Sequence, residues 1–162
     1  GGPRGFSNHR KFESLSGTSS NGTGAVVESY VNWIDNFTSH KKLFDKIYIE
    51  AGKNSHKAFN NLYRLMNAVH RFGRLARFDY LCMVGKLGFS AIEPDQTYWI
   101  EATGPKNGVQ QLFGTFESKE QIDIRLWEIA KNLNLGPFAM QILEDAICNW
   151  QKNPKRYLRF TG

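Results

Sequence analysis

From residue 25 almost to its end, the chain repeats apolar side chains at intervals of three and four, and Gly or Pro cuts the pattern into short lengths. That spacing fits helices and little else. Val26, Tyr30, Trp33, Ile34 and Phe37 share one helical face. Leu43, Phe44, Ile47 and Tyr48 define a second helix over residues 41–51. Ser55 is placed to cap a third, whose stripe is Phe59, Leu62, Tyr63, Met66 and Val69. After Gly73, a stripe of Leu75, Phe78, Cys82 and Gly85 runs to a stop at Gly88. Residues 91–101, with Pro94 and the run Thr97, Tyr98, Trp99, Ile100, predict a turn and a short extended piece or tight helix entry. Residues 103–108 predict a glycine-bearing turn, followed by a short helix through Val109, Leu112 and Phe113 to Gly114. Ser118 and Gln121 form a capping-box pattern ahead of Ile122, Leu126, Ile129 and Leu133. Gly136 and Pro137 separate that helix from a last one carrying Phe138, Ile142, Leu143, Ala146, Ile147 and Trp150, which Pro154 stops. Strand signals are few and no repeat is visible, so the expected class is all-α with at most one small hairpin.

The 162 residues, 41% of them hydrophobic, suit one helical domain over residues 25–162. Residues 1–24, rich in Gly, Ser and Asn, read as a flexible lead-in, and with no opening Met the chain reads as trimmed. No secretory pattern and no apolar run of bilayer length is present, which predicts a cytoplasmic protein with no membrane partner. Cys82 and Cys148 each sit in an apolar helical pattern and are expected to be free thiols in a reducing compartment. His9, His40, His56 and His70 are scattered without ligand spacing, so neither a metal nor another cofactor is expected. The net charge of +6 favours a polyanionic partner.

Four groups of residues carry candidate chemistry. Thr103, Gly104, Pro105, Lys106, Asn107 and Gly108 would put backbone N–H groups and a lysine ahead of a helix, an arrangement able to hold a phosphate. It lacks the Walker A pattern, so nucleotide hydrolysis is not indicated. Glu144 and Asp145 lie on the last helix, where Gln141, Asp145, Asn149 and Lys152 share one side beside the apolar stripe. A carboxylate there could activate water or stabilise a developing positive charge, or it could belong to a solvated face. Asp79, between Leu75 and Cys82 on the helical register, could be a catalytic acid or the partner of Arg74 or Arg77. The basic residues form two sets. Arg71, Arg74 and Arg77 recur every three residues, and Lys152, Lys155, Arg156 and Arg159 alternate with Tyr157 and Phe160, a combination suited to phosphates and an unpaired base.

Taken as an ordered set, residues 73–81, then Ala102, Thr103, Gly104 and Pro105, then residues 140–150 with Lys152 resemble the alpha-glutamyl/putrescinyl thymine pyrophosphorylase family, clade 3, over roughly residues 25–160. The resemblance implies a relationship to helix-hairpin-helix DNA glycosylases, hence a helical domain of that kind acting on a modified pyrimidine in double-stranded DNA. Two activities are implied: replacing a pyrophosphoryl group on hydroxymethyluracil with an amine, or cutting the bond between a modified base and its sugar. By the same resemblance Gly104, Pro105 and Lys106 would be a hairpin gripping phosphates, and Asp145 the acid, with Asp79 and Glu144 as rivals. The spacing departs from the superfamily pattern, because a further helix separates Lys106 from Asp145. Tyr98, Trp99 or Trp150 would support the flipped-out base. The competing class is a non-catalytic helical DNA-binding module, which would keep the basic patches and tolerate loss of Asp145.

Overall fold

The computed structural model describes residues 14–115, 117–157 and 159. His9, Phe160 and residues 1–13 of the expected lead-in lie outside the described residues. Among those described, seven α-helices and two 3-10 turns form, and no strand does: α1 (Thr23–Asp35), α2 (His40–Glu50), α3 (Ser55–Leu65) with a turn at Met66–Ala68, α4 (Arg74–Lys86), a turn at Trp99–Glu101, α5 (Thr103–Phe113), α6 (Lys119–Asn132) and α7 (Ala139–Trp150). No hairpin forms among the described residues, and the bridge between Ser14 and Gly22 is isolated and parallel.

Helix starts follow local polar chemistry. Ser39 caps α2 by accepting from the Lys42 N–H at 3.2 Å. α3 is capped by Asn54 rather than Ser55: the Asn54 backbone is extended and its side chain accepts from the Lys57 N–H at 2.9 Å, while Ser55 is already helical. The capping box of α6 forms as expected, with Ser118 Oγ accepting from Gln121 N at 3.3 Å and Gln121 Oε1 from Ser118 N at 2.9 Å.

The apolar stripes close on two clusters. The first gathers α1 to α4, with Phe59, Leu62, Met66, Phe78 and Leu81 fully buried. The second gathers α5, α6 and α7 around Val109, Leu126 and Met140. The boundary falls between adjacent residues: Tyr98 belongs to the first cluster and Trp99 to the second. Phe138 reaches back across the boundary, its ring against the first cluster and its N–H donating to Glu93 Oε1 at 3.0 Å.

Two expected faces are turned. On α4 the buried set is Arg74, Arg77, Phe78, Leu81, Cys82 and Val84, with Leu75 only half-buried. On α7, Leu143, Glu144 and Ile147 face inward, while Ile142 and Ala146 are exposed. In both cases a charged residue takes an inward position because a partner of opposite charge waits there.

Residues 103–108 are not a turn but the start of α5. Pro105 is tolerated because it stands in the first helical turn, where N–H groups have no intrahelical acceptor. The glycines serve packing. A Cβ at Gly104 would stand 2.6 Å from Cys148 Sγ, and one at Gly108 would stand 2.7 Å from the Ile147 carbonyl oxygen. One turn apart, they let α7 lie directly against α5.

A candidate active-site cleft at the boundary of the two clusters

α3 carries a polar face beside its apolar stripe, with Tyr63 common to both. Asn60, Tyr63, Arg64 and Asn67 are spaced so that they share one side of the helix and its 3-10 extension. Together with Arg77, Gln96, Tyr98, Glu101 and Lys119 they line a cavity of about 330 Å³. Most of these side chains hydrogen-bond one another. Tyr63 donates its hydroxyl to Glu101 Oε2 at 2.9 Å, and Arg77 Nη2 lies 3.7 Å from the same oxygen. Glu101 nevertheless keeps 47% of its side chain exposed, so its carboxylate is open to the cleft. Burial pushes the Tyr63 hydroxyl well above the usual phenol range, and its bond to Glu101 adds to that, so the phenol stays protonated as a donor.

Two arginines of α4, one turn apart, brace the cleft. Arg77 lies with its guanidinium 4.2 Å over the Tyr63 ring, donates to the Tyr63 carbonyl at 3.1 Å and to Asn67 Oδ1, and leaves its buried Nε without a hydrogen-bond partner. Arg74 donates to Glu144 Oε1 at 2.6 Å and to the Thr97 carbonyl, tying α7 and the segment before the cleft to α4. Both of these expected DNA-contact residues lie inward, Arg74 9% exposed and Arg77 8%, because internal acceptors take up their guanidinium groups.

Of the three candidate acids, Glu144 has the other two as electrostatic neighbours. Glu144, not Asp145, faces inward at 5% exposure, and Asp145 lies on the exposed face of α7. Burial holds the Glu144 carboxyl above the usual carboxylate range against the pull of Arg74, and the charges of Asp145 and Asp79 push it the same way as burial. Asp79, half-buried on α4, is thus an electrostatic neighbour of Glu144.

Of the expected stacking residues, Tyr98 and Trp99 are buried. Tyr98 lies with its ring stacked on Tyr63 at a centroid distance of 4.0 Å, and Trp99 is in the second cluster with its indole N–H on Asp123 Oδ1 at 3.1 Å. A run of aromatics after a proline marks core anchors here, which periodicity alone does not distinguish from a displayed platform. Trp150 is half-buried at the end of α7. Of the expected phosphate-binding residues, Thr103, Lys106 and Asn107 are exposed, Gly104 is half-buried, and Pro105 and Gly108 are buried. Lys152, Lys155, Arg156 and Arg159 are exposed beyond α7, alongside Tyr157 at 86%. Cys82 and Cys148 are free thiols, both raised above the ordinary range by burial.

The cleft residues on α3, and Glu101 itself, escape a reading guided by charge clusters. The available signal is the helical spacing of Asn60, Tyr63, Arg64 and Asn67, which the stronger apolar stripe of the same helix conceals. Among the described residues there is no group of three metal-ligating side chains, and no helix is long and apolar enough to cross a membrane.

No curated protein and no solved structure matches the chain. The family model for alpha-glutamyl/putrescinyl thymine pyrophosphorylase clade 3 matches residues 2–162, and the chain therefore belongs to that family.

Proposed function

We propose that the chain is an enzyme acting on a modified pyrimidine in DNA, replacing a pyrophosphoryl group on the exocyclic carbon of the base with an amine. The family supports the chemistry, and one observation carries its placement: a half-exposed carboxylate, Glu101, stands in a polar cleft that also holds Arg64, Arg77 and Lys119. A neutral amine attacks the exocyclic carbon, a C–N bond forms, and the C–O bond breaks with its electron pair leaving on pyrophosphate. Glu101 takes the proton that the new ammonium sheds. Arg64 and Lys119 meet the charge on the departing group. The exposed residues Lys152, Lys155 and Arg156, with Lys106 and Asn107 as further candidates, hold the strand while the base turns out of the stack.

A second reading, excision of the base from its sugar, is favoured by the gathering of Asp79, Glu144 and Asp145 on α4 and α7. Asp145 would then stabilise the oxocarbenium-like sugar. The products separate the two. On DNA bearing pyrophosphorylated hydroxymethyluracil, with an amine supplied, transfer yields free pyrophosphate and an intact strand with an altered base, and excision yields an abasic site. Under the transfer reading, Glu101→Gln lowers turnover by roughly 10²–10⁴-fold while DNA affinity is retained. A fully active Glu101→Gln removes Glu101 from the chemistry. Abasic product with loss of activity in Asp145→Asn supports excision, and DNA binding with no product of either kind supports a non-catalytic module.

A further inference from the structure

Resting on the cleft assignment above, we propose that Asn60 is a positioning residue: by holding Asp95 and Tyr98 it fixes the left-handed turn that presents the Glu101 carboxylate to the cleft. The orientation of its amide follows from chemistry. A carboxylate only accepts, so Asn60 Nδ2 must face Asp95, and it donates to both oxygens at 2.9 Å. The amide oxygen is then free to accept, and it takes the Tyr98 hydroxyl and, at 3.4 Å, Gln96 Nε2. One side chain of α3 thus grips three of the four residues from 95 to 98.

Tyr98 needs gripping. Its backbone is in the left-handed region at φ 50° and ψ 34°, where a residue with a Cβ stays only when its surroundings hold it. Its ring is buried, stacked on Tyr63 and edge-on to Phe78 at 5.8 Å, and its hydroxyl ends on Asn60. The Tyr98 carbonyl in turn accepts from the Glu101 N–H at 3.2 Å, so the 3-10 turn at Trp99–Glu101 hangs from it. Tyr63 completes the circuit, taking Tyr98 on its ring and Glu101 on its hydroxyl. Without the grip on Tyr98, the turn has other conformations open to it and Glu101 no longer lies at a fixed place beside Tyr63 and Arg77.

Tyr98→Phe deletes only the bond to Asn60 and keeps the ring; Asn60→Ala deletes the whole grip. Both are made in the full chain and read two ways. Hydrogen exchange at the Glu101 and Ala102 amides is expected to speed up about tenfold, the loss of one hydrogen bond's worth of protection, with exchange in α6 and α7 unchanged. Turnover is expected to show kcat down about tenfold with KM for DNA within roughly twofold, a split that general destabilisation does not produce. Unchanged exchange at Glu101 and Ala102 in Tyr98→Phe overturns the proposal, and so does an unchanged kcat where Glu101→Gln is inactive. If Asn60→Ala fails to fold, Tyr98→Phe carries the test, since it removes one oxygen. If the wild-type chain shows no turnover, the function reading fails and the exchange measurement alone decides the role of Asn60.

Discussion

Replacing a helical glycine by alanine ordinarily stabilises a protein, and at Gly108 it is expected to do the reverse. The helix-propensity gain is about 0.8–1 kcal/mol. Against it, the new methyl would stand 2.7 Å from the Ile147 carbonyl oxygen and closer still to the Ile147 side-chain methyl. The carbonyl is backbone in the last turn of α7 and accepts from the N–H of the C-cap residue Gln151 at 3.2 Å, so it does not move by itself. The two helices must part, and overpacking of this kind costs about 1–3 kcal/mol. Taking the upper end, because the obstacle is backbone, the net loss is about 2 kcal/mol, or about 4–8 °C in Tm for a chain of this size. Gly104→Ala is the internal control. Its methyl would meet Cys148 Sγ at 2.6 Å, the end of a side chain that rotates away, so its net change is expected within about 0.5 kcal/mol of zero. Thermal melts followed by circular dichroism at the helical band, repeated in urea, measure both. A Gly108→Ala variant that melts at or above the wild-type temperature refutes the packing role of these glycines.

The buried Arg74–Glu144 pair yields a prediction with a definite sign. Arg74→Met strands Glu144 without its guanidinium, at a cost of about 3–5 kcal/mol near neutral pH. A carboxyl raised in the folded state contributes stability that is complete below the usual carboxylate range and is lost as pH rises through the raised value, so the deficit of Arg74→Met shrinks on acidification. Glu144→Ala strands an arginine that stays charged, so its deficit does not shrink; urea midpoints at neutral and mildly acidic pH compare the two, and a deficit of Arg74→Met that grows with acid contradicts the account. For the exposed segment beyond α7, Lys155→Ala with Arg156→Ala is expected to weaken DNA binding regardless of sequence and to lower the salt-dependence slope by about 0.9 for each phosphate no longer neutralised. A slope equal to that of the wild type removes these two residues from the DNA interface.

Most of the helices were legible in the sequence because their signals are local. The Ser118–Gln121 box and the stripe from Phe59 to Val69 are complete within a few turns of chain. The site was less legible because its signals are not local. The spacing of Gly104 and Gly108 is the same whether a phosphate or a helix comes close, and the group that decides is Ile147, far along the chain. Arg74 and Arg77 read as a cationic row until Glu144 and Glu101 are placed opposite them. Glu144 and Asp145 are neighbours about 100° apart on the helix, and Ile142 and Ala146, expected in the stripe but exposed, turn the expected face toward Asp145. The polar face of α3 was visible in principle, but the apolar stripe that adjoins it at Tyr63 is the stronger pattern.

Tyr98 and Trp99 are joined by a single peptide bond, yet each anchors a different half of the molecule. Neither half can therefore come apart quietly: loosening one cluster drags on the backbone of a residue rooted in the other. The pair acts as a rivet, alongside the Phe138–Glu93 and Arg74–Glu144 ties that cross the same boundary. The cleft opens beside that joint, so whatever fills it is gripped from both halves at once.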